Sequence, residues 1–306
     1  KGDRPMSLRI GVVASRGMRD GDGAPLLRFM RDFEPFLVGQ LGAELHVPGA
    51  TADALSAAGL LAGYGGLRRL PPASQGGIIT LTAQVVGLGP GDAGLDWVIF
   101  LLDPTDPTAL YPETQALKRQ CVVHGKPFLG NLAAASEWCA LEWHRRLDGR
   151  PVPPALAALL REWVRPGTIG TETVALIAHD RLKPEMLRFA ATHRALLSRF
   201  ARRLATGTTG GLLNAEALAP GWVESLLSGP RGGDAQIAEA VLLGQCRRAM
   251  FFEDPHVARE HEADIQLLER ATRFAAHGCL CLGSREAAER WAENLAGVLA
   301  PGSGFA

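Results

Sequence analysis

A weak internal repeat at half the chain length is the feature that most constrains this fold. Four pairs of short motifs recur in the same order, and the members of each pair lie 151 to 158 residues apart. The pairs are residues 48–51 and 206–209, 74–77 and 230–233, 98–104 and 249–255, and Trp138 and Trp291. Solenoid repeats recur every 20–50 residues or so, and a period this long therefore indicates a duplicated domain.

A stretch rich in proline and arginine separates the two copies. It covers residues 145–166, where Pro151, Pro153 and Pro154 stand close together. Such a composition is typical of a linker between domains. We therefore predict a first domain over residues 7–146, a linker over residues 147–171 that carries one helix at 155–164, and a second domain over residues 172–306.

Short apolar runs alternate with helical patterns throughout the second copy. Pro184 marks a helix start, and apolar residues follow from Met186 to Leu204 at spacings of three and four. The predicted strands are 174–178, 203–205, 223–227, 249–252 and 279–282, and the later helices are 212–218, 235–243, 264–276 and 285–299. This alternation predicts a parallel sheet covered by helices on both faces.

Charge and hydropathy exclude several classes of protein. Lysine and arginine number 32, aspartate and glutamate also number 32, and neither half carries the basic excess of a nucleic-acid binder. The longest apolar runs are far shorter than the ~18 residues of a membrane helix. Five cysteines without framework spacing fit a reducing compartment. We expect a cytoplasmic protein with neither nucleic acid nor membrane as partner.

A polar or glycine-rich cluster follows each of the first four predicted strands of the second copy. The clusters are residues 178–180, 206–210, 228–234 and 253–255. In an open parallel sheet, ligands bind at the edge where the carboxyl ends of the strands meet. We therefore expect these clusters, which are distant in sequence, to form one pocket.

Several of these residues suit an anion. Residues 206–210, Thr-Gly-Thr-Thr-Gly, join a strand to a helix, where glycines admit backbone amides and a helix N-terminus favours negative charge. Ser228 and the amide of Gly229 can join the same site, and Lys183 can supply a positive charge. A plain capped turn and a solvated surface lysine are the alternatives. We expect the bound anion to be phosphate.

Carboxylates and histidines in the same clusters suit proton transfer. Asp234 opens a helix, where it can serve as a base or only as a cap. His261 and Asp264 can share a helix face, and a histidine fixed by carboxylates such as Asp254 suits proton transfer or polarisation of a carbonyl. A surface position for His261, or a metal held by His179, His261 and an aspartate, is the alternative. The set favours proton abstraction beside a carbonyl in a small phosphorylated substrate.

Six separated motifs within residues 172–295 resemble methylglyoxal synthase in order and spacing. They are residues 174–180, 183, 206–210, 228–234, 251–255 and 261–264. The resemblance implies an α/β protein with two tandem doubly wound, flavodoxin-like domains, each with a five-stranded parallel sheet. It also implies a lyase that converts dihydroxyacetone phosphate to methylglyoxal and phosphate with no metal or cofactor.

The resemblance implies a role for each matched residue. Asp234 matches the aspartate that removes a proton from the hydroxymethyl carbon to give an enediolate. His261 matches the histidine that polarises the substrate oxygens, and Asp254 and Asp264 match acidic residues around the site. The matches to substrate and phosphate contacts are His179, Lys183, Thr206, Gly207, Thr208, Thr209, Ser228 and Gly229.

Two departures from the family pattern favour an alternative. Glu253 stands where the family usually has an aromatic residue, and residues 260–264 read Glu-His-Glu-Ala-Asp in place of Pro-His-Asp-Pro-Asp. The same fold in the large carbamoyl phosphate synthetase binds effectors without reacting them. The alternative is therefore a non-catalytic regulatory protein that binds a phosphate or another effector.

The first copy keeps the frame of the second without its chemistry. The replacements are Ile78 for Asp234, Pro72 for Ser228, Ser15 for His179 and Pro48 for Thr206. An isoleucine cannot act as a base, so we predict that the first copy is inactive and serves assembly. Because the resembled family forms homohexamers, we expect a homo-oligomer in which three tandem chains make a similar assembly.

Overall fold

A computed structural model describes residues 8–217, 219–256 and 262–305 of the chain. It divides into two compact units, Lys1–Ala135 and Ser136–Ala306. Each unit contains one five-stranded sheet, and every strand pairing is parallel. Among the described residues, no helix combines the length and the apolar character that a membrane crossing requires.

The first unit alternates strands and helices around its sheet. The strands are β1 (Arg9–Ala14), β2 (Glu44–Pro48), β3 (Leu67–Leu70), β4 (Trp97–Leu101) and β5 (Phe128–Leu129). The helices are α1 (Arg16–Arg19), α2 (Pro25–Glu34), α3 (Gly49–Ala57), α4 (Gly77–Val86) and α5 (Pro112–Val123). The strand order across the sheet is β3-β2-β1-β4-β5. Helix α6 (Leu132–Arg145) begins in this unit and ends in the second.

The second unit follows the same plan. Its strands are β6 (Thr173–Ala178), β7 (Arg202–Ala205), β8 (Glu224–Ser225), β9 (Cys246–Phe252) and β10 (Leu280–Leu282). Its helices are α7 (Pro154–Leu159), α8 (Lys183–Thr192), α9 (Arg194–Leu197), α10 (Gly207–Leu212), α11 (Gly233–Leu242), α12 (Glu262–Phe274) and α13 (Arg285–Val298). The strand order is β10-β9-β6-β7-β8.

The two sheets have the same topology. Read from the other edge, the order β8-β7-β6-β9-β10 repeats the order of the first sheet. The register also repeats, because Gly11 faces His46 in the first sheet and Ala175 faces Leu204 at the same step of the second. The predicted fold class, two tandem five-stranded parallel sheets flanked by helices, is confirmed.

Burial of both faces explains the apolar runs of the central strands. Every residue of β4 and β6 is buried, and so are all but one in β1 and in β9. Parallel strands covered by helices on both faces have this pattern. The edge strand β8 has only two residues, both exposed. In each sheet, the loops that follow the carboxyl ends of the central strands are therefore anchored to buried, hydrogen-bonded backbone.

The helix predictions for the second copy need two corrections. The apolar pattern from Met186 to Leu204 is not one helix: α8 ends at Thr192, α9 is a separate turn, and Leu204 lies in β7. Each of these elements buries apolar residues, and their spacing along the chain imitates that of a single helix. Helix α10 begins at Gly207, earlier than the predicted start at 212, and continues as a π-helical segment over Leu213–Ala217.

The segment between the copies is structured. The predicted linker helix at 155–164 corresponds to α7 followed by a π-helical segment over Leu160–Val164. A 3₁₀ helix over Pro166–Thr171 then leads into β6. The division between the units falls between Ala135 and Ser136, inside α6. The predicted domain boundaries at 146 and 172 stay predictions about which segments fold independently.

Candidate active site

The carboxyl ends of β6 and β7 and the turn after β8 surround a cavity of about 70 Å³. Six of the residues predicted for the site line it: His179, Lys183, Thr206, Thr208, Gly229 and Asp234. They come from three loops spread over some fifty residues of sequence. The structure therefore brings the predicted anion-binding turn and the predicted base to one place.

Glycines after β8 place Asp234 in this cavity. Gly232 has a φ of 101°, in the left-handed region that glycine adopts without strain. A Cβ on Gly233 would lie 1.9 Å from the carbonyl oxygen of Leu227, so this position admits only glycine. The tight turn delivers Asp234 as the second residue of α11, with 3% of its surface exposed. A Cβ on Gly229 would lie 2.9 Å from Asp234 Oδ2, which places the carboxylate against that turn.

The turn after β7 is built on Thr206. This residue is extended and caps α10, and its carbonyl oxygen accepts the amide of Gly210 at 2.8 Å. Its hydroxyl lies 3.5 Å from the hydroxyl of Thr209, and both side chains are buried. Thr208, in contrast, is exposed and lines the cavity. Two hydroxyl-bearing side chains of the turn, Thr206 and Thr208, therefore reach the cavity.

Four other predicted residues lie close to the cavity without lining it, namely Gly207, Thr209, Ser228 and Asp254. Gly207 donates its amide to Leu227 O at 2.9 Å, and a Cβ there would lie 3.0 Å from the amide nitrogen of Ser228. The turns after β7 and β8 therefore touch. Thr209 is buried behind Thr206. Asp254 follows β9, and its Oδ1 accepts the amide of His256 at 3.1 Å, so its carboxylate closes a local turn.

His179 joins the cavity to β9. It directly follows β6, and its amide donates to Phe252 O at 3.0 Å. Its ring is buried and meets the ring of Phe251 edge-on, with centroids 5.1 Å apart. Its Nδ1 accepts the backbone amide of Asp254 at 2.8 Å. Asp254 therefore contacts a cavity residue through its backbone amide, while its carboxylate stabilises the local turn.

Lys183 begins α8 and lies at the side of the cavity. Its ammonium forms an ion pair with Asp180, one turn earlier, whose side chain is 84% exposed. Ion pairs with such an exposed partner contribute little, about 0–1 kcal/mol. The pair therefore leaves the ammonium available to an anion in the cavity.

Two predicted catalytic residues are not placed by the structure. His261 lies outside the described residues, and Asp264 belongs to α12 but its side chain is outside the described part. Their roles stay predictions. Within the described ranges, no three His, Cys, Asp or Glu residues are grouped as metal ligands.

The residues predicted individually for the site leave out four apolar lining residues and one acid, although all five lie in the motifs 174–180, 228–234 and 251–255. Ile177 and Phe251 pair in register near the ends of β6 and β9, and the lining is completed by Ala178, Asp180 and Pro230. The strand alternation could have identified Ile177 and Phe251, because side chains in register on adjacent strands point to the same face of the sheet. They give the cavity an apolar floor beneath its polar loops.

Comparisons with known proteins identify relatives of part of this chain. No family model matches the chain. The methylglyoxal synthase of Ralstonia nicotianae is 47% identical over 98 residues, which is 32% of this chain and 70% of that protein. The one from Thermus thermophilus is 46% identical over 100 residues, or 32% and 76% of the two chains. The one from Agrobacterium fabrum is 43% identical over 102 residues, or 33% and 78%.

One solved structure is also similar in sequence. The crystal structure of methylglyoxal synthase from Elizabethkingia anophelis is 34% identical, covers 32% of this chain and 65% of that chain, and has a TM-score of 0.28. The curated relatives carry the assignment, because each is more than 40% identical over more than two thirds of its own length. Through about a third of its residues, the chain belongs to the methylglyoxal synthase family.

Proposed function

We propose that the second unit converts dihydroxyacetone phosphate to methylglyoxal and inorganic phosphate. One observation carries the proposal: the buried carboxylate of Asp234 lines the same cavity as Thr206 and Thr208. The reaction needs a base for a carbon-bound proton and a grip on phosphate within the length of a three-carbon substrate. The names of the curated relatives support the same reaction.

The loops at the cavity supply the phosphate grip. Hydroxyls of Thr206 and Thr208 and the backbone around Gly229 offer hydrogen-bond donors, and Lys183 offers charge. Held in this way, the phosphate can keep its C–O bond aligned with the π system of the reacting carbons. That orientation favours elimination over simple isomerisation, since a leaving group departs only when its bond overlaps the enediolate.

The steps balance without a co-reactant. Asp234 takes a proton from the hydroxymethyl carbon, and the electron pair of that C–H bond moves to form the enediolate. The enediolate then expels phosphate, which leaves with the electrons of its C–O bond. The departing phosphate takes up the proton that Asp234 removed. The enol that remains gains a proton on carbon as it loses the one on its oxygen, and so becomes methylglyoxal. Donors in the cavity stabilise the negative oxygen of the intermediate.

A coupled assay tests the proposal. The full chain is incubated with dihydroxyacetone phosphate, and methylglyoxal and phosphate are both measured. We expect equal amounts of both from the wild type and loss of both in Asp234→Asn. Asp103→Asn, which changes an aspartate of the first unit, is the control and should keep the activity. No product from the wild type would contradict the proposal.

An effector-binding function is the second candidate. It is favoured by the altered sequence at Glu253 and residues 260–264, where this chain departs from the family pattern. Under this alternative, calorimetry would detect binding of inorganic phosphate to a chain that makes no methylglyoxal. Phosphate binding together with turnover would instead support the enzyme.

We also propose that the protein is cytoplasmic and that it assembles from several chains. Both units expose large apolar side chains on helices, among them Ile79 on α4 and Leu267 and Phe274 on α12. Exposed apolar patches often mark contacts between proteins. Light scattering should give the mass of three chains, and the mass of one chain would contradict this assembly.

A further inference from the structure

We infer that His179 serves as a neutral hydrogen-bond donor whose tautomer is fixed by the backbone amide of Asp254. The inference rests on the proposed function for the identity of the substrate. The tautomer itself is a property of the free protein. The two can therefore be tested separately.

The hydrogen bond at Nδ1 determines where the proton lies. The amide nitrogen of Asp254 is 2.8 Å from His179 Nδ1, and an amide N–H can only donate. Nδ1 must therefore present its lone pair. A neutral imidazole carries one proton, which then resides on Nε2. An imidazolium would carry a second N–H on Nδ1 and direct it at the N–H of Asp254 inside a buried site.

Two adjacent strands hold this arrangement. β6 and β9 pair in register up to Ala178 and Phe252, and the amide of His179 continues the ladder by bonding to Phe252 O. Asp254 lies two residues after Phe252, and its side chain closes a turn with the amide of His256. The imidazole also rests edge-on against Phe251. The strand pairing and the turn therefore fix the Asp254 amide, while burial and the contact with Phe251 hold the imidazole beside it.

This geometry separates the tasks of two cavity residues. His179 and Asp234 line the same cavity. With Nδ1 occupied and Nε2 protonated, His179 can donate to a substrate oxygen but cannot receive the proton removed from carbon. Proton removal then falls to Asp234. A fixed neutral donor stabilises the developing enediolate oxygen without having to reorganise during the reaction.

The first unit provides an internal reference of opposite tautomer. His46 Nδ1 lies 2.8 Å from Oε1 of Gln84, and a carbonyl oxygen can only accept. Nδ1 of His46 therefore carries a proton. Burial lowers the pKa of His46, which favours the neutral ring and leaves Nε2 without a proton. Both histidines are buried, and both belong to the same chain. A single NMR spectrum can therefore report the tautomer of each ring.

Nitrogen NMR decides the tautomer. The full chain is labelled with ¹⁵N-histidine, and long-range ¹H–¹⁵N correlations are recorded at neutral pH without substrate. His179→Gln and His46→Leu assign the two rings. We expect His179 protonated only at Nε2 and His46 protonated only at Nδ1. A His179 ring that carries a proton on Nδ1, alone or with Nε2, would overturn the inference.

Measurements of methylglyoxal formation then test whether His179 donates a hydrogen bond to the substrate. His179→Gln keeps an N–H near the position of Nε2, whereas His179→Leu removes the donor. We expect kcat to stay within about tenfold of wild type for Gln and to fall by about 10²–10³ for Leu, the loss typical of one oxyanion donor. Equal losses in both variants would refute the donor function. A wild type without activity would refute the proposed function, while the spectrum still decides the tautomer.

Discussion

The turn before α4 in the first unit and the turn before α11 in the second have the same backbone conformation. The residue that follows the turn differs between the two units. Gly76 and Gly232 both have left-handed φ values, 85° and 101°. A Cβ on Gly77 would lie 2.0 Å from Pro71 O, as one on Gly233 would lie 1.9 Å from Leu227 O. The next residue is Ile78 in one unit and Asp234 in the other.

This comparison separates residues that serve the fold from residues that can serve chemistry. The glycine pairs occur in both units, so the backbone needs them whether or not a ligand binds. The aspartate after the fourth strand is also shared. Asp103 Oδ1 accepts the amide of Thr105 at 2.8 Å, as Asp254 Oδ1 accepts that of His256. Hydrogen bonds from Thr105 lower the pKa of Asp103, although the first unit lacks the predicted base. The carboxylate of Asp254 therefore has a structural task in its turn, and its predicted catalytic role stays a prediction.

Exchanging the residues at the differing position should have the largest effect. Asp234→Ile gives the second unit the side chain of the first and removes the proposed base. Loss of a general base costs about 10²–10⁴ in rate. We expect methylglyoxal release to fall by that factor, with the unfolding temperature little changed. Ile78→Asp should create no activity, because Pro48 and Pro72 offer fewer donors. Activity retained in Asp234→Ile would remove the chemical distinction between the units.

A second difference lies at the opposite end of the sheets. Trp97 and Arg248 occupy the same register position, next to Ile10 and Val174. Arg248 is 1% exposed, and it donates to Glu137 at 2.7 Å, to Glu172 and to Val164 O at 2.6 Å. Burial favours a neutral guanidine, but the two carboxylates outweigh burial and raise the pKa of Arg248.

Removing this arginine should give the largest loss of stability. Arg248→Met leaves Glu137 buried without its cation and leaves Glu172 with only the partly exposed Arg165. Breaking a buried pair in this way typically costs about 3–5 kcal/mol. Chemical denaturation of the full chain measures the change. Arg202→Met is the control, because its pair with Glu224 is exposed and should be worth less than about 1 kcal/mol. Equal small losses in both variants would contradict a structural role for the buried cluster.

The shared glycines allow a matched pair of substitutions. Gly77→Ala and Gly233→Ala each push a methyl group against a backbone carbonyl, and such overpacking typically costs about 1–3 kcal/mol. We expect both to lower the stability of their own unit, measured by thermal unfolding. Only Gly233→Ala should also lower kcat, since it displaces Asp234. If Gly77→Ala lowers kcat equally, the activity depends on the first unit.

The sequence predicted the central strands better than the edges. β6 and β9 are buried on both faces, and their continuous apolar runs carry a clear signal. The predicted strand at 223–227 shrinks to the two residues of β8, because Val223 is buried without strand pairing. Apolar character reports burial, and burial at a sheet edge does not require a hydrogen-bonded ladder.

The site residues that directly follow strand ends could be predicted from the sequence, because the sheet topology determines their position. Thr206, Gly229 and Asp234 follow strand ends, and parallel strands bring their carboxyl ends together. The bond from the Asp254 amide to His179 was not predictable, since backbone amides have no sequence signature. The Arg248 cluster was also missed, because its carboxylates lie 111 and 76 residues away along the chain.

The smallest expected effect separates the cores of the two units. His46 and Leu204 occupy the same register position, so the first unit buries a histidine where the second buries a leucine. Burial lowers the pKa of His46 from its ordinary value of 6.5, although the hydrogen bond to Gln84 opposes this shift. The unfolded state then binds more protons than the folded state at mildly acidic pH. Stability is therefore complete above about pH 6.5 and declines as the pH falls toward the lowered folded pKa. Denaturation of wild type and His46→Leu at pH 5 to 8 should show a steeper acid-side loss in the wild type. Parallel curves would mean that His46 does not distinguish the pH response of the first unit.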